Sequence, residues 1–227
     1  MSVLRFFALA GSFALLAVPP ARAGDAPSLS VSGYLLSHQT GTGNGSRGEL
    51  SVDALYPTRF GALYLQDGEG GWALPAPLGF ASFGVASEPV WGLGGGVSQS
   101  LWIARYGFDL PRGGALSLGY AGRLGDSHPG KLVAANLQAP LGSWRGQDFS
   151  LQGWASLADQ PRRRSLERAA GDGDWRLEQA NLLLVMSHPL SRAWALQLGA
   201  GSRWSADAGG GHTAGWQTLL GLSWTLR

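Results

Sequence analysis

The 227-residue chain has no Cys, and only 14% of its residues are Asp, Glu, Lys or Arg, yet it carries 10 Trp and 36 Gly. The missing Cys excludes disulfide staples and Cys-ligated metals. The formal charge of +2 comes from Arg5 and Arg22 near the N-terminus, and without residues 1–23 the basic residues equal the 15 acidic ones, so no basic stripe supports a nucleic-acid partner.

Met1 to Arg5 is a short positive stretch, Phe6 to Val18 is apolar, and Ala21-Arg22-Ala23 is an A-x-A pattern. These are the parts of an export leader, so residues 1–23 are expected to be a signal peptide and 24–227 a single domain. The apolar run is short for a spanning helix, and no later segment is long enough for one.

Leu29, Val31, Gly33 and Leu35 alternate with Ser28, Ser30, Ser32 and Tyr34, which predicts a first strand. Thr40 to Gly48 (TGTGNGSRG) reads as a polar loop of turn formers. Leu50, Val52, Ala54 and Tyr56 alternate with Glu49, Ser51, Asp53 and Leu55; Pro57-Thr58 is expected to turn the chain. Arg59 to Gln66 returns, with Phe60, Ala62 and Tyr64 assigned to its outer face. Asp67 to Gly96, rich in Gly and Pro, reads either as a long functional loop or as one more hairpin.

Alternation resumes at Ser98. Trp102, Ala104, Tyr106 and Phe108 share a face, then Leu116, Leu118 and Tyr120, then Val133, Ala135 and Leu137, then Phe149, Leu151 and Ala155. Ala158 to Asp174 is a charged loop. Trp175 to Ser187 is a strand, and Ala193 to Trp204 and Trp216 to Leu226 close the chain with Trp at both ends and Leu between. Aromatic girdles around an aliphatic band suit a bilayer. Short and long connections alternate, as in transmembrane barrels with both ends in the periplasm. The expected fold is therefore all-β: an antiparallel up-and-down transmembrane barrel of about ten strands, or twelve if Asp67 to Gly96 adds a hairpin.

The leader, the alternating strands and the final strand WQTLLGLSWTLR resemble the outer-membrane β-barrel class of Gram-negative bacteria. That resemblance covers the mature chain as architecture. It implies an outer-membrane location, lipid and lipopolysaccharide as surroundings, and the barrel assembly machinery as a partner. Members usually end on an aromatic residue, whereas this chain ends Leu226-Arg227 and its last aromatic is Trp224.

The expected register points Glu49, Asp53, Arg59, Arg105, Arg123, Asn136, Gln138, Gln152, Gln179, Asn181, Gln197, Arg203 and Gln217 inward. Polar and charged inner faces line water or pair with one another, because an unpartnered buried charge is costly. The expectation is a narrow channel or conduit for polar solutes, with accessory service in surface-polysaccharide secretion as a variant. Arg162, Arg163, Arg164 and Arg168 sit in the charged loop as candidate lipopolysaccharide contacts, since guanidinium binds phosphate bidentately.

Two other classes stand beside the conduit. A lipid-modifying enzyme would use His38, His128 or His212 at the outer mouth with a Ser and an acid. His188, before Pro189, reads as a turn residue. A non-conducting scaffold or adhesin is the third. No metal motif is present: Asp172-Gly173-Asp174 is too short for a calcium loop. No cofactor is expected, and the enzyme reading is set aside in favour of passage.

Overall fold

The computed structural model describes residues 27–40, 43–66, 68–90, 97–124, 130–165, 175–206 and 212–226. The expected signal peptide lies outside them. Twelve antiparallel strands form one closed barrel in which each strand pairs with its sequence neighbours. They are β1 (Ser28–Thr40), β2 (Gly43–Thr58), β3 (Gly61–Gln66), β4 (Glu69–Ala76), β5 (Gly79–Val90), β6 (Val97–Leu110), β7 (Gly114–Arg123), β8 (Lys131–Trp144), β9 (Gln147–Asp159), β10 (Trp175–Pro189), β11 (Trp194–Ala206) and β12 (His212–Leu226). One short helix, α1 (Gln160–Ser165), follows β9. Closure comes from β1 and β12, with Leu29 opposite Leu226 and Thr40 opposite Gly215. Closing the ring removes the sheet edges that an open sheet would expose.

The count settles on twelve, the alternative reading. Within the stretch Asp67 to Gly96, the described residues 68–90 form a hairpin and not a loop. They supply β4, a tight turn at Pro77-Leu78, and β5. Thr40 to Gly48 likewise belongs mostly to β1 and β2, so that hairpin is taller than a loop at that position would make it. Pro57 and Thr58 are the last residues of β2; the turn is Arg59-Phe60. There the Thr58 hydroxyl accepts a hydrogen bond from the Phe60 N–H at 3.3 Å and donates to the Gly61 carbonyl at 3.0 Å.

The terminal end of the barrel carries tight turns. Arg145 (φ 51°) and Gly146 (φ 76°) are both left-handed, the two-residue geometry that matches the twist of flanking strands. At Leu190 to Ala193, the Ser191 hydroxyl accepts from the Trp194 N–H at 3.1 Å.

The outer face is apolar and exposed. Leu50, Leu63, Phe83, Val85, Leu118, Leu184, Leu220 and Leu222 all point away from the lumen. A continuous exposed apolar surface of this extent marks an interaction face. Trp194 and Trp204 stand ten positions apart on β11's outer face, about 33 Å along the strand and about 25 Å along an axis tilted by about 40°.

On β3 the alternation runs opposite to expectation. Ala62 and Tyr64 face inward, Ala62 at 1% exposure, while Leu63 and Leu65 face out. Phe60 belongs to the turn, so it does not set the parity of the strand.

Candidate functional site

The inner wall is built from every second residue of each strand. Twelve strands spaced about 4.8 Å apart and tilted about 40° enclose a ring roughly 24 Å across between backbones. Side chains then decide whether that space is filled.

Of the thirteen residues expected to point inward, eleven do: Asp53, Arg105, Arg123, Asn136, Gln138, Gln152, Gln179, Asn181, Gln197, Arg203 and Gln217. Several succeed one another around the wall. Ser117 lies opposite Asn136, Asn136 opposite Trp154, Trp154 opposite Asn181, and Asn181 opposite Arg203. Arg59 is the exception. It sits exposed in the β2–β3 turn with its guanidinium 4.3 Å from the Phe60 ring centroid, at the rim and off the inner wall. Asp53 faces inward and accepts a 3.2 Å hydrogen bond from the Ser51 hydroxyl. Glu49 lies within β2, with its side chain outside the described atoms.

The bulky inner side chains lie along the wall, over glycines directly across the ladder. His38 covers Gly45, Tyr64 covers Gly71, Phe80 covers Gly107, Arg105 covers Gly119 and Tyr34 covers Gly221. A Cβ on Gly45 would stand 2.6 Å from His38 Cε1, and one on Gly71 2.7 Å from the Tyr64 hydroxyl. Real side chains do not approach so closely, so Gly45, Gly71, Gly107 and Gly221 leave no room for a Cβ, whereas one on Gly119 would meet Arg105 at an ordinary 3.6 Å. This arrangement lets large residues face inward without reaching the axis. The sequence signal for it is a glycine in register with Tyr34, His38, Tyr64, Phe80 and Arg105; Trp154 and Arg123 have none.

Two ionic clusters are fixed to the wall. Glu69, at the start of β4, accepts from Arg105 at 2.5 Å and from the Tyr64 hydroxyl at 2.5 Å. All three belong to the wall around β3, β4 and β6. Across the lumen, a bulge between Leu177 and Gln179 in β10 gives Glu178 and Gln179 the same facing, and both are buried. Glu178 accepts from Arg162 Nε at 3.3 Å, and Asp159 Oδ1 accepts from the Arg162 backbone N–H at 2.9 Å. These contacts fold α1 inward against β8 and β9.

That placement corrects the lipopolysaccharide assignment for two residues. Arg162 is 2% exposed and Arg163 3%, so neither presents its guanidinium to the outer surface. Carboxylates on β9 and β10 draw the arginine run inward, where ion pairing offsets its desolvation. The Arg164 side chain and Arg168 lie outside the described residues.

Four buried polar atoms on three adjacent strands have no hydrogen-bond partner among the described residues: Asn136 Oδ1, Trp154 Nε1, Ser156 Oγ and Gln179 Nε2. A buried polar group without a partner costs about 1–3 kcal/mol, so such groups are normally satisfied by water or a solute. Sequence reading also missed an apolar strip on the inner wall: Leu101, Ile103, Ala121, Leu132 and Ala158, with Ala86 packed against it.

Of the histidines, His38 is near the loop end of β1 and His188 near the turn end of β10, so these two do not converge. His128 and the His212 side chain lie outside the described residues. Among the described residues no group of three His, Asp or Glu side chains is placed to hold a metal.

No family model matches the chain, and comparison with curated proteins finds no match. The fold itself is secure. The chain is a closed up-and-down β-barrel.

Proposed function

We propose that this barrel resides in the outer membrane and forms a narrow conduit for small polar solutes. The observation that carries the reading is the inner wall, where five bulky side chains, His38, Tyr64, Phe80, Arg105 and Tyr34, lie over a cross-strand glycine. Barrels of about eight strands are filled by side chains and those of about sixteen leave a channel. At twelve strands, side chains that lie along the wall support an open path. The unpartnered Asn136, Trp154, Ser156 and Gln179 atoms favour a wet lumen.

The outer apolar band with Trp194 and Trp204 at its two edges supports the membrane location, as does the leader at residues 1–23. In this reading lipid and lipopolysaccharide surround the barrel, and β12 is the strand offered to the assembly machinery. The role is passage and not catalysis, and it needs no cofactor.

Single-channel recording in planar bilayers tests the proposal. Discrete conductance steps are expected, with selectivity shifted by Glu69→Gln, which removes a fixed negative charge from the lumen. A folded protein that carries no current at any voltage would instead be the scaffold of the third reading.

A further inference from the structure

We propose that the turn end of the barrel is a rim that docks anionic glycerophospholipids of the surrounding leaflet, through Arg59, Arg112, Arg145 and Arg192. The inference rests on the membrane reading, and its first ground is where the charges fall. The up-and-down order puts five short turns at one end: Arg59-Phe60, Pro77-Leu78, Pro111 to Gly113, Arg145-Gly146 and Leu190 to Ala193. Four of the five hold one Arg, each of these is exposed, and none of the five turns holds an Asp or Glu. The connections at the other end carry both signs in sequence, with Glu167, Asp172 and Asp174 following the arginine run.

No carboxylate answers the four guanidiniums. Among the described residues none of them forms an ion pair. The acids closest to the turns along the chain are Asp109 and Asp148, and both take inner positions, in step with Arg105 on β6 and Gln152 on β9. Negative charge at this end therefore faces the lumen, and positive charge stands on the tips.

The second ground is the company the arginines keep. Arg59 Cζ lies 4.3 Å from the Phe60 ring centroid, and Arg145 Cζ lies 4.6 Å from that of Trp144. Both rings are exposed. Trp144 stands opposite Gln147, the outward neighbour of Asp148, so its ring is on the outer face. Arg192 comes two residues before the outward Trp194, and Arg112 two after the outward Leu110. Arg59 and Arg145 are thus held at the edge of the outer apolar band, the level of headgroups in a bilayer. An acidic protein meeting the tips from the water would have no need of these aromatic neighbours.

Guanidinium binds a phosphodiester through two parallel N–H···O bonds. A zwitterionic headgroup brings its own ammonium to that phosphate, whereas an anionic one leaves the charge to the arginine. Neighbouring turns stand about 12 Å apart along the rim, so each arginine meets its own lipid. A basic residue at an anionic membrane surface contributes about fivefold in affinity.

The test is native mass spectrometry of the full-length barrel released from detergent, titrated with phosphatidylglycerol or phosphatidylcholine. Up to four phosphatidylglycerol molecules are expected to bind, about fivefold more tightly than phosphatidylcholine. Arg145→Gln should remove one of these sites. The combined variant Arg59→Gln/Arg112→Gln/Arg145→Gln/Arg192→Gln should bring the two lipids to equal affinity. Lys131→Gln, which removes an exposed charge at the opposite end of β8, should leave the preference unchanged. Folding of each variant is checked by its heat-modifiable migration on gels, and insertion by flotation with vesicles of either lipid.

Equal affinity of the unmodified barrel for the two lipids, or a preference that survives the combined variant, overturns the inference. So does an unchanged lipid preference in a combined variant that has lost binding to isolated peptidoglycan, since the rim then serves a polymer in the water. A barrel that inserts into vesicles without headgroup preference refutes this inference and leaves the membrane reading standing. One that folds but inserts into neither vesicle removes both.

Discussion

Removing Glu69 should destabilise the barrel more than removing any exposed charge. Its carboxylate holds Arg105 at 2.5 Å and the Tyr64 hydroxyl at 2.5 Å, and the Arg105 and Glu69 side chains are 8% and 4% exposed. Breaking a buried pair by deleting one partner costs about 3–5 kcal/mol, because the other charge is left uncompensated. The Arg105 stem runs over Gly119, with Cγ and Nε each 3.6 Å from where a Cβ would stand. From there the guanidinium can turn toward lumen water, which brings the expected loss for Glu69→Ala to about 3 kcal/mol. The double variant Glu69→Ala/Arg105→Ala should then recover at least about 1 kcal/mol relative to the sum of the single variants. Urea titration in detergent micelles, followed by tryptophan fluorescence and analysed at constant slope, gives all four corners of the cycle. A loss below about 1 kcal/mol for Glu69→Ala, or strict additivity in the double variant, would refute a buried, mutually dependent cluster.

Other substitutions probe the remaining features. Gly107→Ala should push the Phe80 ring off the wall, costing about 1–3 kcal/mol and lowering single-channel conductance; an unchanged conductance would count against the wall-hugging geometry. Leu220→Arg, on the outer face between the two tryptophan levels, should cost about 2–4 kcal/mol in lipid vesicles, and a neutral effect would argue for water on that side. Glu178→Gln should release Arg162 and α1, read as faster proteolysis between β9 and β10. Arg145→Asn, at a left-handed turn position that Asn tolerates better, should raise the urea midpoint by up to about 1 kcal/mol equivalent.

Much of the fold was legible because a barrel strand with an apolar outer face repeats apolar residues with period two, and β6 to β12 do so plainly. The misread parts failed for identifiable reasons. In β4 and β5 the inner positions include Gly71, Gly84 and Pro75, and these residues carry the composition of a loop even while Trp72, Leu74, Phe83 and Val85 alternate outward. On β3, anchoring the alternation on Phe60 inverted the strand, since Phe60 is in the turn and Leu63 and Leu65 set the outer face. The inward placement of Arg162 depends on Glu178, which reaches it because of a bulge that period-two reading does not register. The inner apolar strip was hidden because β6 supplies only Leu101 and Ile103 and β7, β8 and β9 one residue each, and adjacency arises from pairing across strands. Polar lining residues such as Asn136 and Gln217 were the easier part, as each stands within an apolar alternation.

The glycines across from Tyr34, His38, Tyr64 and Phe80 have a further consequence, for how the strands find one another. A slip of one residue between strands turns a whole face inside out and is rejected by lipid and water together. A slip of two keeps every side chain on its proper face, so the inside–outside pattern is blind to it. Shape is not. Sliding β5 on β6 by two residues would set Phe80 against Arg105 or Asp109 instead of Gly107, and the same slip between β1 and β12 would set Tyr34 against Leu219 or Ser223 instead of Gly221. The glycines act as notches that each admit one key, and proofread the register as the ring of strands closes.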